Sequence, residues 1–159
     1  GFALGVAATT LVGQALGAGR PEQAQRVAIS AARIAFVGMT AVGVVLMIFG
    51  GTITRLFIND DDVVDIGRKL LLIFGFALPA LSVSLSLGGA LRGAGDTRAV
   101  LGIMTAGVWG VRLAPAYLLA VVAGFGVPGA WVAAVIDINT RALLMFLRFR
   151  QGRWKRIKV

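Results

Sequence analysis

Short polar breaks divide this chain into five long apolar runs. The first extends from Gly1 to about Gly17, and the second holds eighteen uncharged residues from Ile34 to Gly51 after a polar helical lead-in from Pro21. The third is uncharged over the twenty-two residues from Leu70 to Leu91. The fourth, Ala99 to Gly126, is interrupted by Arg112 alone, and the fifth, Val127 to about Leu147, contains Asp137 and Arg141. No run alternates with period two, so strands are not expected, and about 20 helical residues cross a hydrocarbon layer about 30 Å thick. The pattern predicts an all-α, polytopic membrane helix bundle. Its five transmembrane helices fall at about 1–17, 22–51, 63–91, 97–123 and 127–149, and 150–159 form a basic tail.

Composition supports this solvent. The mean hydropathy is +0.88 and only 14% of residues are charged, against about a quarter in soluble domains. A net charge of +9 raises nucleic acid as a partner, but six basic residues lie in the last twelve positions: Arg148, Arg150, Arg153, Lys155, Arg156 and Lys158. Such a cluster beside a span suits anionic lipid headgroups, and its aromatic pair, Phe149 and Trp154, suits a membrane interface. Nucleic acid is not expected. Without Cys or His the chain has no disulfide, no Cys/His metal site and no histidine-based catalysis, so neither an enzyme nor a cofactor or metal is expected.

Basic residues also give the orientation. Arg20, Arg26, Arg33, Arg92, Arg98 and the six tail cations make eleven on one side, against Arg55, Arg68 and Lys69 on the other. Retention of Lys and Arg inside the cell places the 17–22 elbow, the 93–96 elbow and the C-terminus in the cytoplasm of an inner or plasma membrane. Five crossings then put Gly1 near the outer face, and the absence of an initiating Met or a basic leader reads as a truncated start.

Helix ends are marked locally. Gly17 and Gly19 close the first helix and Pro21 opens the second. Asp60, Asp61, Asp62 and Asp65 favour the start of the third, and Asp96 or Thr97 is placed to cap the fourth. Pro79 and Pro115 fall inside helices, where each frees a carbonyl that a neighbour or water must satisfy. Gly17-Ala-Gly19 and Gly93-Ala-Gly95 suggest nucleotide loops but fail that pattern, having Glu22 and Arg98 where a third glycine belongs. The acidic run lacks the glycine of a calcium loop and reads as a solvated cap. Gly1/Gly5, Gly13/Gly17 and Gly89/Gly93 have the spacing of close helix packing.

Candidate chemistry rests on charges within the spans. Asp137 sits near mid-bilayer, with Arg141 one turn on, in the favourable orientation for an i,i+4 pair, and Arg148 further along that face. Two readings stand: an internal ion pair, or a carboxylate that takes up a proton or cation, which a paired arginine disfavours. Arg112 either anchors structure or lines a pathway, with Trp109 and Tyr117 as possible stacking partners. Thr10 and Gln14 share a helix face, where interhelical hydrogen bonds or substrate contact are open to them.

Several elements together resemble bacterial transporters of the multidrug and toxic compound extrusion (MATE) family, NorM-like. They are Val12-Gly-Gln-Ala-Leu-Gly-Ala-Gly19; Leu91-Arg92-Gly93-Ala94-Gly95-Asp96-Thr97-Arg98; Trp109-Gly-Val-Arg-Leu-Ala-Pro115; Gly126-Val-Pro-Gly-Ala-Trp131; and Gly152-Arg-Trp-Lys155. The resemblance implies a twelve-helix exporter of two six-helix lobes, of which 1–159 form part of the C-terminal lobe, helices eight to twelve. It implies secondary-active efflux of amphipathic, often cationic compounds driven by inward Na+ or H+, with the N-terminal lobe as partner. Relatives that couple through the C-terminal lobe use acids on helices seven and ten. The third run, matching helix ten, has none from Leu70 to Leu91, which points the coupling carboxylate to the N-terminal lobe. A lipid-linked sugar flippase of the same superfamily and a non-transporting membrane scaffold are the alternatives.

Overall fold

The computed structural model describes residues 1–157, apart from the Arg156 side chain; Lys158 of the basic tail lies outside the described residues. Five helices follow one another: α1 (Phe2–Gly17), α2 (Pro21–Arg55), α3 (Asp61–Gly93), α4 (Thr97–Val122) and α5 (Gly126–Arg150). Four of them, α2 to α5, are long and apolar enough to cross a membrane, while α1 is a shorter apolar helix of 16 residues. The chain is a multi-pass membrane protein. At 35 residues α2 extends about 52 Å, well beyond the hydrocarbon layer, which accounts for the charged turns at its start.

Helix ends follow the local chemistry, with one correction. The Asp60 carboxylate accepts from the Asp62 and Val63 amides at 3.0 and 3.2 Å, capping α3. Asp96 occupies the N-cap position of α4 but makes no cap hydrogen bond, and Thr97 is exposed. The Asp96 carboxylate instead accepts from Arg148 Nε at 2.7 Å and Nη2 at 3.2 Å, a two-pronged ion pair joining α5 to the α3–α4 elbow. A guanidinium offers two parallel donors, so it outcompetes a single amide for the same oxygens.

Backbones meet where side chains are missing. α1 and α3 run parallel, with Gly5, Thr9 and Gly13 laid against Leu85, Gly89 and Gly93. The single Thr9 Oγ1 hydrogen is shared between Gly5 O in its own helix and Gly89 O across the seam, at 2.9 and 3.0 Å. Gly17, by contrast, faces open space. A second seam joins α2 and α3: a Cβ on Gly43 would lie 2.6 Å from Gly75 O. That carbonyl is the one Pro79 deprives of its helical donor, so the freed oxygen is packed against the Cα of a neighbouring glycine.

All five helices converge at the end bearing the two glycine elbows. Ala8, Val12, Ala28, Leu91, Val100 and Met145 form its core, and Trp154 closes it. Gly152, at φ +70°, turns the chain back after α5. Trp154 then stacks on Phe149 at 4.9 Å and donates Nε1–H to the Phe149 carbonyl at 2.8 Å. At 1% exposure this indole is a core residue, which corrects the interfacial reading of the pair. Lys155 reaches Glu22 at 3.2 Å, so the 17–22 elbow, the 93–96 elbow and the segment after α5 are tied together at one end of the bundle.

Losing the Arg148 clasp should be measurable. Asp96→Ala should cost about 2 kcal/mol of stability, the scale of hydrogen bonds to charged groups, whereas Thr97→Ala should be nearly silent. Thermal unfolding of the intact detergent-solubilised protein reads both; equal losses would restore the capping role.

Candidate functional site

The fourth span is not the uniform α-helix expected over 97–123. It is α-helical over Thr97–Ala106 and Ala114–Tyr117, with π-helical turns at Gly107–Leu113 and Leu118–Val122. Pro115 lies between the two π turns and brings no amide hydrogen, so the ordinary i→i−4 ladder cannot run through it. π turns close i→i+5 bonds and so bring residues five apart towards one face; an α-helix would set them about 140° apart around the axis. Gly107 and Arg112 are five apart.

This winding builds the site. Arg112 and Arg141 line one cleft of about 490 Å³ between α3, α4 and α5, with Phe74, Leu81, Trp131 and Ile138 among its walls. Phe74 and Trp131 meet edge to face at 5.6 Å. Behind Arg141, Asp137 is completely buried and accepts from Arg141 Nη2 at 2.6 Å, so the i,i+4 pair expected in the fifth run is formed. Gly107 backs the pair: a Cβ there would lie 2.7 Å from both Asp137 Oδ1 and Arg141 Cδ. Arg141 Nη1 also approaches Met104 Sδ at 3.7 Å. Asp137 Oδ1 and Arg141 Nε have no hydrogen-bond partner among the described residues.

The arrangement presents one compensated and one uncompensated guanidinium to an aromatic-walled cleft. Arg112 makes no ion pair among the described residues. Among the described residues neither Trp109 nor Tyr117 makes a cation–π contact with it; both are exposed, at 70% and 63%. The aromatic residues that share its cleft are instead Trp131 and Phe74, on other helices. Sequence proximity does not decide its neighbours, because the walls of the cleft come from α3 and α5.

The remaining candidates lie elsewhere. Thr10 donates to Val6 O of its own helix at 3.3 Å and shares a second cleft, of about 290 Å³, with Thr9 and Arg92. Gln14 is exposed and makes no side-chain hydrogen bond among the described residues. Among the described residues it is Thr9 that makes the hydrogen bond from α1 to α3. In the elbow, Gly93 packs on Thr9, Gly95 turns at φ +80°, Asp96 holds Arg148, and Arg92, Thr97 and Arg98 are exposed. Arg148 therefore serves the elbow and does not extend the Asp137–Arg141 pair. Gly107 and Phe74 were not singled out from the sequence, and Trp131 entered only as the end of the Gly126–Trp131 element. Only the glycine five residues ahead of Arg112 could have signalled the packing.

Comparison with known proteins agrees with this architecture. The MatE family model matches residues 1–118. A probable multidrug resistance protein NorM of Thermotoga maritima is 30% identical over 155 residues, covering 98% of this chain and 33% of that protein. A probable multidrug resistance protein NorM of Pasteurella multocida is 34% identical over 154 residues, 94% of this chain and 33% of its own length. Multidrug resistance protein MdtK of Yersinia pestis is 31% identical over 153 residues, 94% of this chain and 34% of its own. The chain thus spans about one third of the length of these relatives, and it belongs to the MatE family.

Proposed function

We propose that this chain supplies five helices of one lobe of a secondary-active exporter. The exporter moves amphipathic, often cationic compounds out of the cell against inward Na+ or H+. Family membership carries the reading: relatives named as multidrug resistance proteins match nearly the whole chain. Such a protein moves its cargo without making or breaking bonds, so no enzymatic role is assigned. The remaining N-terminal lobe completes the polypeptide, and the glycine seams of α1, α2 and α3 suit a lobe that moves as one rigid body. The end that gathers both elbows and the tail faces the cytoplasm, where the tail meets anionic headgroups.

Within the lobe, Asp137 serves as the counter-ion of Arg141 and Arg112 lines the pathway. Because α3 carries no acid from Leu70 to Leu91, the coupling carboxylate belongs to the N-terminal lobe. Cells or proteoliposomes carrying the intact protein should extrude a cationic dye when a Na+ or pH gradient is imposed. Arg112→Ala should slow extrusion on the order of tenfold at equal folded amount, one orientation-setting interaction in the pathway being lost. Absence of dye export under either gradient would overturn the reading, as would undiminished export by Arg112→Ala for the pathway role.

A further inference from the structure

A groove between α2 and α5 carries an inference independent of transport. It encloses about 670 Å³ and is floored by Val83 and Leu87 of α3, with Phe36 and Phe146 at its sides and Arg33 and Arg150 in its lining. Arg33 is the last charge before the eighteen uncharged residues 34–51, and Arg150 is the last residue of α5. Both therefore mark the hydrocarbon boundary at the basic end of the bundle. The groove straddles that boundary, polar at one end and apolar at the other.

Neither guanidinium forms an ion pair among the described residues. The acids that the two elbows offer are engaged elsewhere: Glu22 with Lys155, Asp96 with Arg148. Two uncompensated cations at headgroup depth above an apolar, aromatic-sided slot match an anionic phospholipid, with its phosphate at the arginines and its first acyl segments against Phe36 and Phe146. A zwitterionic headgroup would bring its own cation to the same place. We infer that the α2–α5 groove is a binding site for an anionic phospholipid of the leaflet at the basic end, held by Arg33 and Arg150.

Native mass spectrometry of the intact protein, titrated separately with phosphatidylglycerol and phosphatidylcholine, tests this. Phosphatidylglycerol should be retained about tenfold more strongly. Arg33→Gln/Arg150→Gln should remove most of that preference, and Arg33→Lys/Arg150→Lys should keep most of it. Arg153→Gln/Lys155→Gln, which removes tail cations that meet headgroups but do not line the groove, should diminish it by less than half. Both arginines are exposed, so the folded amount serves as an internal control. The inference falls if the two lipids bind equally, if the preference survives Arg33→Gln/Arg150→Gln, or if the tail variant alone removes it. It falls too if a second copy of the chain, seen as a lipid-independent dimer, occupies the groove.

Discussion

Gly89→Val should abolish most of the folded protein. A Cβ at this position collides with the Gly5 carbonyl oxygen, a backbone atom that no rotamer change can move, so α1 and α3 must separate. Their separation also breaks the Thr9 Oγ1 bond to Gly89 O and opens the seam where Gly93 meets Thr9 O. Overpacking a close interface costs about 1–3 kcal/mol, and valine adds two methyls beyond the first clash, so the loss should sit at the upper end or above it. Gly102→Ala is the matched control, because nothing lies within 4 Å of that site and alanine favours a helix by up to about 1 kcal/mol. Size-exclusion profiles and thermal unfolding of the intact protein should show Gly89→Val aggregated or strongly destabilised and Gly102→Ala at or above the parent. A Gly89→Val protein that unfolds with the parent would show that the α1–α3 contact is loose in the membrane.

What could be read from the residues alone divides along one line, between local and non-local causes. The runs and elbows were legible because hydrocarbon demands long uncharged stretches, and because Pro21, Gly93 and Asp60 act on their own neighbourhoods. The Asp137–Arg141 pair was legible for the same reason, being one helical turn long. Asp96 was misjudged because its partner, Arg148, lies fifty-two residues on, and no local rule weighs a guanidinium against a cap. Trp154 looked interfacial because an aromatic in a basic tail usually is; the left-handed turn at Gly152 instead returns it to the core. Among twenty-two glycines, spacing alone could not show that Gly89 and Gly93 face a backbone while Gly17 faces nothing. The π turns were hidden most deeply. An α-helical reading sets Gly107 and Arg112 on different faces, and so dissociates Arg112 from the cleft it shares with Arg141.

Asp137→Ala should do damage of comparable size through a different term. It strips Arg141, whose side chain is only 14% exposed, of its counter-ion and leaves a cation in a low-dielectric site, a loss of about 3–5 kcal/mol. Against a total stability of about 5–15 kcal/mol, that threatens folding itself. The pair's own net contribution is smaller, because among the described residues Asp137 Oδ1 and Arg141 Nε have no hydrogen-bond partner, and both ions are desolvated whether or not they attract. Removing both charges should therefore cost much less than removing one. Asp137→Leu/Arg141→Met should recover most of the unfolding midpoint lost in Asp137→Ala, a positive coupling between adjacent sites. Asp137→Asn, which keeps an acceptor oxygen but no charge, should fall between the two. A proton- or cation-binding carboxylate predicts the reverse pattern. Asp137→Ala would then unfold with the parent, lose ion-driven dye export and its dependence on pH, and gain nothing from the second substitution. Measuring unfolding and export on the same four proteins separates a structural counter-ion from a coupling site, because only the first lets the double variant fold well.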